Sequence, residues 1–349
     1  MSTHAQTMRR LIHLTGIAIR QIVCIMTNHI RWYFNVSRWR PTKDDWLELT
    51  SSIAKDEVER IHKFNFKDDS KSSLIGCALI RKFLSLATRI PSNEIILERD
   101  SHGRPKINES FISNSRSTLP FWPRLLDFNV SHSGDYCVLA GIWSSASSDE
   151  LDLIRSVRVG VDVTKVVQKK TKQELDRFLS LMSRREFTRD EWDTVEQVSD
   201  DRQKCINFTR LWCLKESFIK AIGLGLSFKL QRIDFRFPED VRYNISIRTL
   251  IDRTFLNSTR VLIDKSLAED WRFLETALDE DHYVALAYNV DSVLPSKQSF
   301  TCISLNDVSN GPPFEELSIG SIREALVPLS VPDEHNWIKF QNSHVKGSV

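Results

Sequence analysis

Apolar positions along the chain form two kinds of run, some with helical spacing and some short and continuous. The longest helical run covers residues 70–88, where Leu74, Ile75, Ala78, Leu79, Phe83 and Leu86 build a wide apolar face. Pro91 prevents its continuation. Thr42 is placed to N-cap an earlier helix carrying Trp46, Leu49 and Ile53. Leu175, Phe178, Leu179 and Met182 mark another helix, and Thr188-Arg189-Asp190-Glu191 is a capping-box pattern opening the next. A long helix from about residue 204 ends at Gly223, a residue suited to the left-handed position after a helix. Strands are predicted at 30–34, 95–98, 128–132, 136–142, 159–163, 233–237, 245–247 and 283–288. Residues 108–124, rich in Ser, Asn and Pro, read as a loop, and the polar stretch 144–157 as a connection between lobes at 27–143 and 158–290. Beyond residue 290 the pattern weakens, and 291–349 reads as a weakly ordered tail. Helices and strands mix without regular βαβ spacing, which predicts an α+β fold.

Composition narrows the functional classes. A chain of 349 residues allows about two domains. Lys plus Arg is 48 and Asp plus Glu is 46, a net charge of +2, which argues against a broad nucleic-acid surface but leaves room for local phosphate pockets. No run of 18 apolar residues occurs, so no membrane-spanning helix is expected. The six cysteines include no Cys-x-x-Cys pair and fit free thiols in a reducing compartment. Residues 1–43 contain no acid, and Arg9, Arg10 and Arg20 sit among Leu11, Ile12, Leu14, Ile17 and Ile19, a pattern that resembles a mitochondrial presequence. The simpler reading is an upstream stretch with Met26 as the working start. On either reading residues 1–26 are expected outside the fold, and the simpler one makes the protein cytoplasmic.

Candidate chemistry gathers in a few short stretches. The helix around residues 210–222 carries Leu211, Leu214, Phe218 and Ile222 on one stripe and Trp212, Glu216 and Lys220 on another, with Lys215 alongside. Taken alone, Glu216 and Lys220 are an ordinary helix pair contributing ~0.3 kcal/mol. Val161-Asp162-Val163 places an acid in a buried strand, which is costly unless the acid is paired or binds metal. Asn129, Ser131 and His132 form a polar cluster at a strand end, and Arg99 and Arg104 flank the Gly103 turn. Gly223-Leu224-Gly225 follows a helix and has Phe at position 228, so it fails as a dinucleotide fingerprint. No Walker A, His-Glu-x-x-His or Gly-x-Ser-x-Gly sequence occurs.

Together these residues resemble the 4′-phosphopantetheinyl transferases. Gly160-Val161-Asp162, followed by Trp212-Cys213-Leu214-Lys215-Glu216-Ser217-Phe218-Ile219-Lys220, is similar to that family's paired signature. Phe128-Asn129-Val130-Ser131-His132 is similar to a third motif, and Gly103-Arg104-Pro105 to its turn. The runs 212–222 and 187–192 resemble the animal branch. The resemblance implies a pseudo-twofold pair of α+β lobes with coenzyme A between them. It implies transfer of 4′-phosphopantetheine to a serine of an apo acyl carrier protein, or of a fatty acid synthase or aminoadipate-semialdehyde dehydrogenase carrier domain. It further implies Asp162 and Glu216 as Mg²⁺ ligands, with Glu216, Lys220 and His132 as catalytic groups. Arg60, Arg99, His102, Gly103, Arg104, Asn129, Ser131, His132, Lys215 and Lys220 are implied coenzyme A contacts, in a monomer. The second acid of many bacterial members is Thr164 here, whose hydroxyl or a water would fill that place. A non-catalytic coenzyme A or carrier-binding module is the rival reading, against which intact Asp162, Glu216 and Lys220 argue.

Overall fold

The computed structural model describes residues 23–25, 27–118, 122–123, 125–144, 154–252, 255–292, 301–303 and 314–345. Residues 1–22, Met26 and most of the expected connection lie outside them. β1 (Val23–Ile25) already belongs to the expected N-terminal extension. The first lobe then runs β2 (Thr27–Asn35), α1 (Lys43–Ser51), α2 (Lys55–Ile61), α3 (Lys67–Thr88), the hairpin β3 (Leu97–Arg99) and β4 (Pro105–Ile107), α4 (Glu109–Thr118), β5 (Leu126–Ser133) and β6 (Tyr136–Ser144). The second runs β7 (Ile154–Lys165), α5 (Lys172–Glu186), α6 (Arg189–Glu196), α7 (Asp201–Ile222), β8 (Ile233–Arg236), α8 (Glu239–Arg242), α9 (Ile247–Asp252), β9 (Arg260–Ile263), β10 (Ser266–Leu267), β11 (Trp271–Asp279) and β12 (His282–Ser292). β13 (Thr301–Ile303) pairs in parallel with β1, and β14 (Glu315–Glu316), α10 (Ile319–Arg323) and α11 (Glu334–Asn342) follow.

The two lobes repeat one topology. Counting the three antiparallel strands of each in chain order, both sheets are arranged first–third–second: β2-β6-β5 and β7-β12-β11. A 22-residue helix crosses each sheet, α3 in the first lobe and α7 in the second. Trp46, Leu74, Leu79 and Phe83 fill the first core, and Leu211, Leu214, Phe218, Phe235 and Phe273 the second. A third core lies between the sheets, where Val138, Ala140 and Ile142 of β6 meet Val159, Val161 and Val163 of β7 and Val284 and Leu286 of β12. The result is four layers, helix–sheet–sheet–helix, the α+β architecture expected. α7 lies so close to β7 that a Cβ on Gly160 would collide with the Ser217 carbonyl and the Ala221 amide.

The edges of the sheets meet through side chains. Asp127, Asn129, Ser131 and Ser133 of β5 accept from the backbone N–H of Val159, Val161, Val163 and Lys165 of β7, at 2.7, 3.0, 3.3 and 3.2 Å. Every second residue of one strand thus satisfies every second amide of the other, and β7 has no open edge there.

Local signals hold where they are chemical. Thr42 and Thr188 each form the full capping box, and Gly223 takes φ of 73° after α7. Two expectations are corrected, and one strand, β11, was not predicted. The loop at 108–124 contains α4, started by Asn108 Oδ1 accepting from Phe111 N. The strand at 245–247 is absent; Ile245 and Ile247 are two buried anchors at the start of α9. β11 carries no clean apolar alternation because Glu275 sits in the core, paired with Arg210 at 2.7 Å.

The expected weak tail is, over residues 314–345, part of the first lobe. β14 extends its sheet beside β2. Arg323 pairs with Asp45 and Glu48 of α1, and the Phe340 ring stacks on Trp46 at 3.8 Å. Lys67 N, the first helical amide of α3, donates to His344 O at 2.8 Å. The contacts are long-range, so no local period announced them. Ile322 is fully buried in this strap. Ile322→Ala should therefore cost about 2–4 kcal/mol in chemical denaturation; an unchanged midpoint would mean that the strap carries no stability.

Candidate active site

The strand ladder brings β5, β7 and the last turns of α7 to one place, above which lies a cleft of about 350 Å³. Glu216, Ile219 and Lys220 of α7 form one wall, and Ser72, Ser73, Gly76, Cys77 and Ile80 of α3 the facing one. The β3–β4 hairpin adds Arg99, His102, Gly103 and Arg104, and β5 adds Asn129, Val130 and His132. Each lobe thus contributes its long helix. Of the residues singled out in the sequence, Arg60, Arg99, His102, Gly103, Arg104, Asn129, His132, Glu216 and Lys220 border this cleft.

Asp162 and Ser131 lie beneath it, nearly closed to solvent. Lys220 Nζ donates to Asp162 Oδ1 at 2.6 Å and to Ser131 Oγ at 2.7 Å. Ser131 Oγ donates to Asp162 Oδ1 at 2.9 Å, and Thr164 Oγ1 to Asp162 Oδ2 at 2.6 Å. The Thr164 hydroxyl thus orients the aspartate. Ser131 and Asn129 are rungs of the ladder as well, so their polar atoms serve the joint between the lobes before any ligand.

Among the described residues no ion pair fixes Glu216, whereas Asp162 is paired with Lys220. Burial pushes the Glu216 carboxyl up, the nearby Asp162 charge adds to this, and Lys220 opposes it. Two carboxylates sharing one ammonium leave an excess of negative oxygen donors, the chemistry a hard divalent cation requires. Among the described residues no group of three or more His, Cys, Asp or Glu is arranged to hold a metal ion, so at this site the protein offers the two carboxylates of Asp162 and Glu216.

The opposite end of the cleft is basic, and Glu57, not singled out in the sequence, organises it. Arg99 Nε and Nη2 bind Glu57 Oε1 and Oε2 at 2.6 and 2.8 Å, and Arg60 Nε donates to Oε2 at 2.9 Å. Arg60 Nη2 continues to Ser73 Oγ at 2.7 Å. One carboxylate thus holds two guanidinium groups side by side, a pairing suited to a phosphate dianion. The Glu57–Arg60 spacing of three residues on α2 was the signal available in the sequence.

Lys215 corrects the sequence reading. It lies outside the cleft, fully buried in the second lobe, with Nζ 2.9 Å from Glu191 Oε2 and 2.8 Å from both Leu230 O and Ile233 O. Glu191 is the capping-box acid of α6 and also accepts from Phe235 N. Burial pulls the Lys215 ammonium down and pushes the Glu191 carboxyl up, and their contact opposes both shifts. This is a structural ion pair, and no cleft ligand reaches it.

Comparison with known proteins matches both lobes to one family. A family model described as 4′-phosphopantetheinyl transferase, N-terminal, matches residues 37–144, and the 4′-phosphopantetheinyl transferase superfamily model matches 158–287. The L-aminoadipate-semialdehyde dehydrogenase-phosphopantetheinyl transferase of Xenopus laevis is 33% identical over 319 residues, 91% of this chain and 93% of that protein. The Homo sapiens protein of the same name is 33% identical over 323 residues, 89% and 90% of the two chains. A Thraustochytrium phosphopantetheinyl transferase is 31% identical over 262 residues, 73% and 77% of the two chains.

Lys215→Met should leave Glu191 as an uncompensated buried charge and cost about 3–5 kcal/mol in urea unfolding. A variant of native stability with weakened ligand binding would instead put Lys215 in contact with the cleft.

Proposed function

The chain belongs to the 4′-phosphopantetheinyl transferase superfamily, and on that premise we propose how its cleft works. The protein transfers 4′-phosphopantetheine to carrier proteins. The arm comes from coenzyme A and goes to a serine hydroxyl, with adenosine 3′,5′-bisphosphate as the leaving group. The carriers are apo acyl carrier proteins and carrier domains, including those of the fatty acid synthase and aminoadipate-semialdehyde dehydrogenase type; the name of the animal relatives supports the latter. The observation that carries this reading is the charge layout of one cleft, with paired arginines at one end and a carboxylate–lysine cluster at the other.

The chemistry follows from that layout. Arg60 and Arg99, aligned by Glu57, bind phosphate of coenzyme A. His132, exposed on the rim, and Lys220 contact phosphate nearer the reacting bond. Asp162 and Glu216 would hold Mg²⁺, which would supply neutralisation of charge on the phosphates. Glu216 is placed to orient the incoming serine and accept its proton, directly or through water. Lys220, one turn on, stabilises the charge that develops on the departing phosphate. No covalent enzyme intermediate is needed, since the serine attacks phosphorus directly. Both lobes of a single chain complete the cleft, which supports action as a monomer. Cys77, Cys137, Cys205 and Cys213 are free and buried, which supports a reducing, cytoplasmic setting.

Mass spectrometry of an apo carrier incubated with coenzyme A, Mg²⁺ and the protein should show one added phosphopantetheine. Chelation should stop the gain and Mg²⁺ restore it. Glu216→Gln should lower turnover by at least ~10²-fold with the unfolding midpoint nearly unchanged. Near-normal turnover in that variant would remove Glu216 from the mechanism.

A further inference from the structure

The sequence resemblance makes Arg104 a coenzyme A contact, but the structure gives its guanidinium other work. Nη1 donates to Lys220 O at 2.9 Å and to Ala221 O at 3.4 Å. Nη2 donates to Asp127 Oδ1 at 2.8 Å and to Phe128 O at 3.0 Å, and lies 3.5 Å from Val159 O. The four Nη hydrogens therefore meet protein acceptors on β5, β7 and α7. No bidentate fork is left for a phosphate. Arg60 and Arg99 differ in that one carboxylate, Glu57, holds both at the basic end of the cleft, with further contacts from Arg60 Nη2 to Ser73 Oγ at 2.7 Å and from Arg99 Nη1 to Gly103 O at 2.6 Å.

The acceptors show what the contact does. Lys220 O and Ala221 O belong to the last turn of α7, where helix carbonyls have no partner in the helix and carry partial negative charge. Asp127 begins the ladder between the lobes, taking Val159 N on its other oxygen at 2.7 Å. Its carboxyl is pushed up by burial, and Arg104 opposes that shift. Arg104 is itself fixed from behind: its N–H donates to Asp100 Oδ1 at 2.9 Å, across a turn that Gly103 completes at φ of 81°. A hairpin of the first lobe thus grips the end of the catalytic helix of the second, at the residue whose Nζ meets Asp162.

We propose that Arg104 is a positioning residue, which sets the end of α7 and thereby the place of Lys220, and is not a coenzyme A ligand. The proposal rests on the transferase reading above. It is tested with Arg104→Ala, Arg104→Lys and Asp127→Asn, the last of which lies outside the cleft lining. A positioning role lowers kcat by about 10- to 100-fold in Arg104→Ala and Asp127→Asn, with KM for coenzyme A changed less than about threefold. Arg104→Lys recovers only part of the loss, because an ammonium cannot reach all the acceptors. A rise in KM larger than the fall in kcat, restored by lysine and absent in Asp127→Asn, overturns the proposal. Two readouts do not need turnover. Amides at 217–222 exchange faster in all three variants, and calorimetry gives Arg104→Ala nearly wild-type affinity for coenzyme A. Unchanged exchange or markedly weaker binding overturns the proposal. A wild-type protein that modifies no carrier would defeat the transferase reading, and these two measurements would still decide the role of Arg104.

Discussion

The structure depends on four hydrogen bonds in which short side chains stand in for a backbone. β5 and β7 lie side by side, but no backbone ladder joins them. Asp127, Asn129, Ser131 and Ser133 do so from one side. A continuous sheet would have fixed the lobes as one body with no room at the seam. A side-chain ladder holds the edges farther apart and leaves carboxylate and hydroxyl groups within it. Ser131 shows the economy of the arrangement, since its one oxygen accepts from Val163 N and Lys220 and donates to Asp162. The joint between the lobes and the floor of the cleft are the same atoms.

α7 is held by three cations five residues apart, each meeting a different carboxylate. Arg210 pairs with Glu275 in β11, Lys215 with Glu191 in α6 and Lys220 with Asp162 in β7. Five residues advance a helix by about 140° beyond one full turn, so the three side chains fan out around the axis. The first two pairs are sealed in the core. Such pairs are weak evidence for net stability but strongly oppose loss of either partner. Their effect is to fix the rotation of the helix, which leaves Glu216 facing the cleft beside Lys220. Lys220 alone of the three is reached by solvent, so it is the one free to answer to a substrate.

Much of the chemistry was legible in the sequence because it was local. The N-cap at Thr42, the capping box at Thr188, Gly223 and the Glu216–Lys220 helix all read correctly within a few residues. Depth was harder to read. Lys215 sits next to Leu211 and Phe218 in helical projection, so its place on the buried side was present in the spacing. Its place in the family motif suggested a ligand contact instead. Asn129, Ser131 and His132 were legible only as a polar cluster at a strand end, a face with no stated partner. Only the presence of β7, some 32 residues away, turns that face into a joint. Glu57 gave no hint that it would hold Arg99 from another element. The strap at 314–345 was illegible for the same reason: Leu317, Ile322 and Phe340 are isolated apolar residues whose slots belong to helices near the other end of the chain.

The strap also has a consequence for synthesis on the ribosome. Domains commonly fold in the order they emerge, the N-terminal one first. Here the first lobe lacks a sheet strand, the ring stacked on Trp46 and the carbonyl that receives the first amide of α3 until residues 314–345 are made. All of the second lobe is translated in between. The nascent first lobe must therefore wait, with part of its apolar surface uncovered, while the second is completed. Its final closure comes late, after the partner against which it packs already exists.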